Sequence, residues 1–471
     1  MLKRVFYNLS YLTLGQAISG ILYFAATIFI ARSFDVDKFG IFSFAEAAFF
    51  FFSLIVLFGT DIIGAREVSK AEGYEKKEIV NQIIPIRFIF SLVSFIILIV
   101  FIALLRNPLE TKLMILLCVS AIFSFVFLLD WFFWGEERFI IYSQSAVIRD
   151  LSFLGGVLLL IYFKANLLWV GVIFLVSKWL GSVFLLGRYV KEHGFPSISW
   201  KFSFKRTLFD SSAMMFITTL VGWVVGYFDI FILSIIIGDR GTGLYSAAYK
   251  PISFLLLAIM VSIKSVFPYL SKTAKTGARD FRKIVIFALL GISVLFMPLM
   301  TLGGRLSTGI ITTVYGSSFA ESGNIFYLLV FAAFIISVNT VYSRGLVAVG
   351  EDRTNLIANI SVGLINILSN LILIPIFGFI GAAWSKIIGD GVIFFYYHRK
   401  LSNIIPIPLI KIVLVPTLAI SVSTILMHSF KLNSGRLQLL FNSLFYFFFV
   451  GGAALFLCRN KKVSSYWKIY G

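Results

Sequence analysis

Residues 227–272 read YFDIFILSIIIGDRGTGLYSAAYKPISFLLLAIMVSIKSVFPYLSK. Two apolar runs flank a short polar turn, Gly238-Asp239-Arg240-Gly241-Thr242-Gly243. A helix rises about 1.5 Å per residue and the bilayer core is about 30 Å thick, so about twenty apolar residues cross it. Each run meets that length, and the turn is too short to hold a domain. The stretch therefore predicts a membrane helical hairpin. It also carries Asp229 on the first arm and Lys250 and Lys264 on the second. An ionisable group at the membrane centre costs about 2.5–3.5 kcal/mol on insertion scales, so such groups face protein or a wet cavity. The hairpin is a candidate cavity wall.

The hairpin has an echo. Gly243-Leu244-Tyr245-Ser246-Ala247-Ala248 repeats Gly40-Ile41-Phe42-Ser43-Phe44-Ala45, and both strings open the second arm of a hairpin. The spacing is close to half of the 471 residues. A match in both string and position predicts two related halves.

Composition sets the class. Hydrophobic residues make up 59% of the chain and charged residues 13%, about half the charged share of a soluble domain. Unbroken apolar runs exclude a transmembrane β-barrel, whose segments are short and alternating. The expected class is an all-α polytopic membrane protein. The net charge of +19 raises the question of nucleic acid. The bases sit in short loops between spans, however, the pattern left by the positive-inside rule and by attraction to anionic headgroups. No nucleic-acid partner is expected. Two cysteines and three histidines, all scattered, suggest neither a disulfide framework nor a metal site. No cofactor is expected, and no G-x-x-x-x-G-K-[ST] string is present for a P-loop. The first apolar stretch, after Met1-Leu2-Lys3-Arg4, is too long for a typical cleaved signal and reads as the first span.

About fourteen spans follow, centred on 9–31, 39–60, 83–105, 112–134, 146–163, 166–188, 209–237, 243–270, 284–304, 324–347, 356–376, 379–398, 411–430 and 438–458. With the N-terminus inside, inner loops and tails hold 25 of the 41 Lys and Arg and outer loops hold 9. That bias predicts both termini in the cytoplasm. The inner loops 61–82, 189–207 and 271–283 read as surface connectors, and the longest outer loop lies around 306–323. The expected organisation is an N-lobe (1–190, six spans) and a C-lobe (207–400, six spans). Parallel pseudo-repeats of this kind would flank a central cleft. A helix pair (411–458) and a basic tail (459–471) complete the chain.

Charges within the spans are the candidate site. Lys250 and Lys264 are fourteen residues apart, hence about 40° apart around the helix and about 21 Å along it. A cation near each mouth suits an anionic passenger; snorkelling to the interface is the competing reading. Pro251 is a candidate kink. Asp229 lies at a depth similar to Lys250, so a salt bridge across the hairpin is expected, with a structural or an ion-coupling role open. Glu46 sits one residue before the repeat-equivalent of Lys250. Arg87, Asp130, Arg149 and Asp150 lie near the cytoplasmic ends of spans three to five, as an inner vestibule or as mutually paired interfacial groups. Lys178 and Arg344 interrupt apolar spans singly. Lys386 and Asp390, four apart, read as an intrahelical ion pair.

Several strings resemble a known family. Asp130-Trp131-Phe132-Phe133-Trp134-Gly135-Glu136-Glu137-Arg138-Phe139 is similar to the segment after the fourth span of O-antigen flippases. Ala31-Arg32 with Phe39-Gly40, Arg66-Glu67-Val68, and Asp229 followed by Gly243-Leu244-Tyr245 fit the same pattern. So do Pro268 and the run from Asn366 through Pro375-Ile376-Phe377-Gly378-Phe379-Ile380-Gly381-Ala382-Ala383. Their order resembles the polysaccharide-transport branch of the multidrug/oligosaccharidyl-lipid/polysaccharide exporter superfamily.

The resemblance implies a flippase that moves a polyprenyl-pyrophosphate-linked oligosaccharide to the outer leaflet by alternating access, for O-antigen, capsule or exopolysaccharide synthesis. It implies a bacterial cytoplasmic (inner) membrane location, membrane lipid as surroundings, and a polysaccharide polymerase and chain-length proteins as candidate partners. It places cavity cations in the spans that hold Lys250, Lys264 and Arg149, with Arg87 and Arg344 as further candidates. Asp229 and Glu46 are the candidates for ion pairing or coupling. No catalytic constellation emerges from the residues, and an enzyme is not expected. A cation-coupled drug or metabolite antiporter of the same fold and a membrane-embedded glycan-assembly enzyme are the alternatives. The antiporter would favour an acidic cavity, whereas seven bases lie within these spans.

Overall fold

The computed structural model describes residues 2–197 and 206–410, with 412 and 417 besides. Among the described residues there are helices and no strands. In chain order they are α1 (Leu2–Ser33), α2 (Val36–Leu57), α3 (Thr60–Val68), α4 (Tyr74–Leu104), α5 (Leu109–Ser120), α6 (Asp130–Gly135) and α7 (Phe139–Tyr162). Next come α8 (Leu168–His193), α9 (Arg206–Ile236), α10 (Asp239–Thr276), α11 (Ala278–Tyr315), α12 (Ser322–Ala348), α13 (Asp352–Phe377) and α14 (Phe379–Ile404). Twelve spans among the described residues are long and apolar enough to cross a membrane, and they coincide with the first twelve spans read from the sequence. The chain is a multi-pass membrane protein. Expected spans thirteen and fourteen, and the basic tail, lie outside the described residues, apart from Ile412 and Thr417.

Three expected loops are largely helical, 271–283 among them, since α10 ends at Thr276 and α11 starts at Ala278. Part of 61–82 is α3, which ends before Gly73 (φ +50°), and α4 starts at Tyr74. The outer stretch around 306–323 is mostly the last turns of α11, which reaches Tyr315. Span four is also shorter than expected, ending at Val126 and not at 134, so that α6 lies past it. After α5 the chain tightens into a 3-10 segment, Ala121–Val126, before α6. The cause is a side chain from another helix. Arg87 on α4 donates from Nη1 to the carbonyls of Phe125 (3.1 Å) and Leu128 (3.0 Å), and from Nε to Thr60 Oγ1 (2.9 Å). A guanidinium with several donors ends a helix by capturing its free carbonyls. The helix α10 runs on through both Pro251 and Pro268.

By packing, the described residues form two compact units. The first takes those of Met1–Lys250, Val314–Phe319 and Asn370–Ala382, and the second takes Pro251–Thr313, Ala320–Ser369 and those from Ala383 onward. In the first unit α1 packs on α7, α7 on α8, and α2 on α4, α5 and α9. α2 is its centre: 78% of its apolar window is buried, against 22% for α4. The outward face of α4 presents Ile96, Ile97, Val100 and Leu104, a lipid-facing stripe. In the second unit polar groups tie three helices. Asn339 on α12 donates to the Asp390 backbone carbonyl on α14 (2.9 Å). Asn355 on α13 accepts from Ser343 (2.6 Å) and Tyr397 (2.8 Å). Interhelical hydrogen bonds of this kind register helices where no hydrophobic effect does so. Lys386 and Asp390 are both buried here.

Candidate functional site

The two echoed strings meet. Val36-to-Gly40 on α2 lies against Asp239-to-Gly243 on α10. A Cβ added at Gly40 would stand 1.8 Å from the Asp239 carbonyl oxygen, and one at Gly243 would stand 2.1 Å from the Val36 carbonyl oxygen. Each glycine faces the residue four positions before the other. Such reciprocity is the mark of a two-fold contact. Glycine at both positions lets the backbones touch, the small-residue packing that joins helices in membranes.

Below this crossing the first unit gathers its intramembrane charges. Glu46, one to two turns along α2 from Gly40, is only 6% exposed. It forms an ion pair with Lys250 on α10 and accepts a hydrogen bond from Tyr23 on α1 (2.5 Å). Glu46, expected near the repeat-equivalent of Lys250, is thus its partner across α2 and α10. Residues that are repeat-equivalents lie opposite each other when their helices cross near a pseudo-two-fold axis, and Glu46 is one position from that equivalence. Asp229 is fully buried on α9, where its carboxylate accepts from the Tyr245 hydroxyl and from the Ile230 amide (3.1 Å). It binds the two arms of the hairpin.

One helix away lies a second pair. Arg149 on α7 holds Asp150 with both Nε and Nη2 at 2.8 Å, and Asp150 also accepts from Ser19 on α1. The close approach of α7 to α8 comes from Gly181, whose carbonyl accepts from Ser145 (3.0 Å). Between the two pairs stands Lys178 on α8. Its ammonium lies 4.5 Å from the ring centre of Phe174, 5.3 Å from Phe49 and 5.7 Å from Tyr23. Tyr23 and Lys250 are also in cation–π range, at 6.0 Å. Tyr23 thus joins the two lysines. The sequence reading passed over Lys178 as a lone interruption. The signal was there in part: Lys178 stands one turn after Phe174, but its other rings come from distant helices.

Within this group of five, three bases face two acids, and Lys178 is the base whose ammonium touches rings and not a carboxylate. Burying ions is expensive unless they are paired, so an excess cation held among helices is a standing attraction for an anion.

The remaining sequence candidates lie elsewhere. Arg87 is fully buried between α4, α3 and the 3-10 segment, with its guanidinium 5.7 Å from the Trp131 ring; it serves as the clamp described above. Arg344 belongs to the second unit, its guanidinium 5.9 Å from the Phe267 ring. Lys264 is on α10, and its side chain lies outside the described residues. Asp130 begins α6, beyond the fourth span, and accepts from the Trp131 amide (2.9 Å). Burial pushes its carboxyl up to about 6, against the pull of Arg87. Among the described residues no group of histidine, cysteine and carboxylates could hold a metal ion.

Comparison with known proteins agrees with this architecture. The solved structure of the lipid II flippase MurJ in an inward closed conformation superposes with a TM-score of 0.74 at 17% identity, over 95% of this chain and 99% of that one. An inward-facing multidrug resistance MATE family transporter of the MOP superfamily gives 0.66 at 14% identity, over 82% and 95%. The probable low-salt glycan biosynthesis flippase Agl15 of Haloferax volcanii is 22% identical over 392 residues, 82% of this chain and 81% of its own length. The family described as polysaccharide biosynthesis protein matches residues 5–274, more than half of the chain. The family match over more than half of the chain carries the assignment, and the helices of the described residues share their fold with the two solved structures: the chain belongs to the polysaccharide biosynthesis protein family.

Proposed function

We propose that the protein is a flippase for a lipid-linked oligosaccharide, moving a polyprenyl-pyrophosphate-linked repeat unit from the cytoplasmic to the outer leaflet. The observation that carries this reading is the net-positive cluster of Arg149, Lys178, Lys250, Asp150 and Glu46. An anionic headgroup gains there what it loses in leaving water, whereas a cationic drug would be repelled. Membership of a polysaccharide biosynthesis family favours a glycan cargo. In this reading residues 1–190 and 207–400 act as the two lobes of an alternating-access transporter, with both termini in the cytoplasm of a bacterial inner membrane. Its product feeds O-antigen, capsule or exopolysaccharide assembly, with a polymerase and chain-length proteins as partners. No catalytic step is needed. A membrane potential, positive outside, favours outward movement of an anion by about 2.3 kcal/mol per charge per 100 mV.

The test is leaflet transfer in proteoliposomes. A fluorescent polyprenyl-pyrophosphate oligosaccharide is placed on one leaflet and its arrival on the other is followed. Transfer that requires the protein supports the reading. Transfer at the rate of protein-free vesicles, across several glycans, overturns it.

A further inference from the structure

We infer that Lys178 is the residue that receives the phosphate of the passenger. The inference rests on the flippase reading and assigns a contact within it. Of the three cations in the cluster, two are already spoken for. Arg149 is held by Asp150 through two bonds, and Lys250 is held by Glu46. Lys178 differs. Among the described residues none forms a salt bridge or a hydrogen bond with its ammonium; it faces only the rings of Phe174, Phe49 and Tyr23. Those rings stabilise a cation modestly and give its N–H donors no acceptor. Asp150 and Glu46 act on it only through their fields. The residue is half-buried.

An ammonium has three donors to place, and a phosphate offers oxygens for them as charge-assisted hydrogen bonds. The rings hold the side chain in place before the anion arrives, so little freedom is lost on binding. They also present an apolar wall, suited to the first isoprene units that follow a pyrophosphate. The ion pairs at Arg149 and Lys250 keep their partners and shape the site. Lys178 supplies its free charge.

The test uses the full-length protein in detergent with two soluble probes, farnesyl pyrophosphate and farnesol, titrated by tryptophan fluorescence. Their affinity ratio measures recognition of the headgroup. Wild type is expected to prefer the pyrophosphate. Lys178→Met is expected to lower that preference about tenfold or more, the effect of losing one charge-assisted contact, with farnesol binding unchanged. Lys178→Arg is expected to keep most of the preference. The exposed control Lys400→Met is expected to keep all of it. A damaged fold would weaken both probes together, so the ratio separates recognition from structure, and the arginine variant guards against misfolding. A short-chain phosphatidate serves as the third probe. Equal Lys178-dependent preference for phosphatidate would assign the site to bulk phospholipid and overturn the inference. Lys178→Met with an unchanged ratio would overturn it too. A wild type without preference also overturns it, while the flippase reading stands or falls separately on leaflet transfer.

Discussion

Replacing Gly40 by alanine probes the crossing of α2 and α10. The added methyl would stand 1.8 Å from the Asp239 carbonyl oxygen and 2.9 Å from the Gly243 nitrogen. Ordinary contact begins at 3.4 Å, so the two backbones must part by about 1.6 Å. Both neighbouring atoms are backbone and cannot swing aside as a side-chain tip would. Overpacking of this kind costs about 1–3 kcal/mol, and more where backbone must move. Alanine elsewhere in a helix does the opposite, gaining up to about 1 kcal/mol over glycine. Gly155 on α7 is the control, since a Cβ there meets nothing within 4 Å. The expected gap between Gly40→Ala and Gly155→Ala is therefore about 2–4 kcal/mol. Thermal unfolding in detergent reads it as a lower Tm for Gly40→Ala and an equal or higher Tm for Gly155→Ala. Gly243→Ala should resemble Gly40→Ala, and the double variant should cost less than the sum, because both strain one contact. A Gly40→Ala protein as stable as wild type would refute the crossing.

Other perturbations separate the clamp from the site. Arg87→Met leaves the Phe125 and Leu128 carbonyls without their donor; it should lower stability by at least about 2 kcal/mol, checked by unfolding in detergent, and an unchanged Tm would deny the clamp. Asp130, with its carboxyl raised to about 6, favours the protonated form in the fold. Its contribution to stability is thus complete below about pH 4 and lost as pH rises through about 6. Between pH 4 and 7.5 wild type should lose at most about 3 kcal/mol relative to Asp130→Asn, and parallel stability curves would contradict this. Glu46→Gln removes the counter-charge of Lys250. Affinity for farnesyl pyrophosphate should then rise about threefold to tenfold as a second cation is released, and no rise in the same fluorescence titration would mean that Glu46 does not neutralise Lys250.

Much of the architecture was legible because a bilayer imposes it. Length and apolarity alone located the twelve described spans; the echoed strings predicted two related halves, while the touching of α2 and α10 at their glycines is seen only in the structure. What escaped depends on contacts between distant residues. The break after Ser120 follows from Arg87 on another helix, and nothing local in Ala121–Val126 announces it. Lys250 meets Glu46 because α2 touches α10 at Gly40 and Gly243, a contact between distant residues, and Asp229 is met by the Tyr245 hydroxyl. Lys178 was seen as a charge in an apolar run, but its cage draws Tyr23 from α1 and Phe49 from α2. Periodicity does not reveal which helices will be neighbours. Arg87, a candidate for an inner vestibule or for mutual pairing, is enclosed among helices, and the sequence states its depth but not its direction.

The central claim is that the protein carries a lipid by recognising a negative headgroup among helices with excess positive charge. Its most direct test compares leaflet transfer, in proteoliposomes of the wild type, of two fluorescent probes with the same polyprenyl tail and the same glycan. One probe has the pyrophosphate link and the other an uncharged link. The account predicts protein-dependent transfer of the pyrophosphate probe and little of the uncharged one. Equal transfer of both would contradict it.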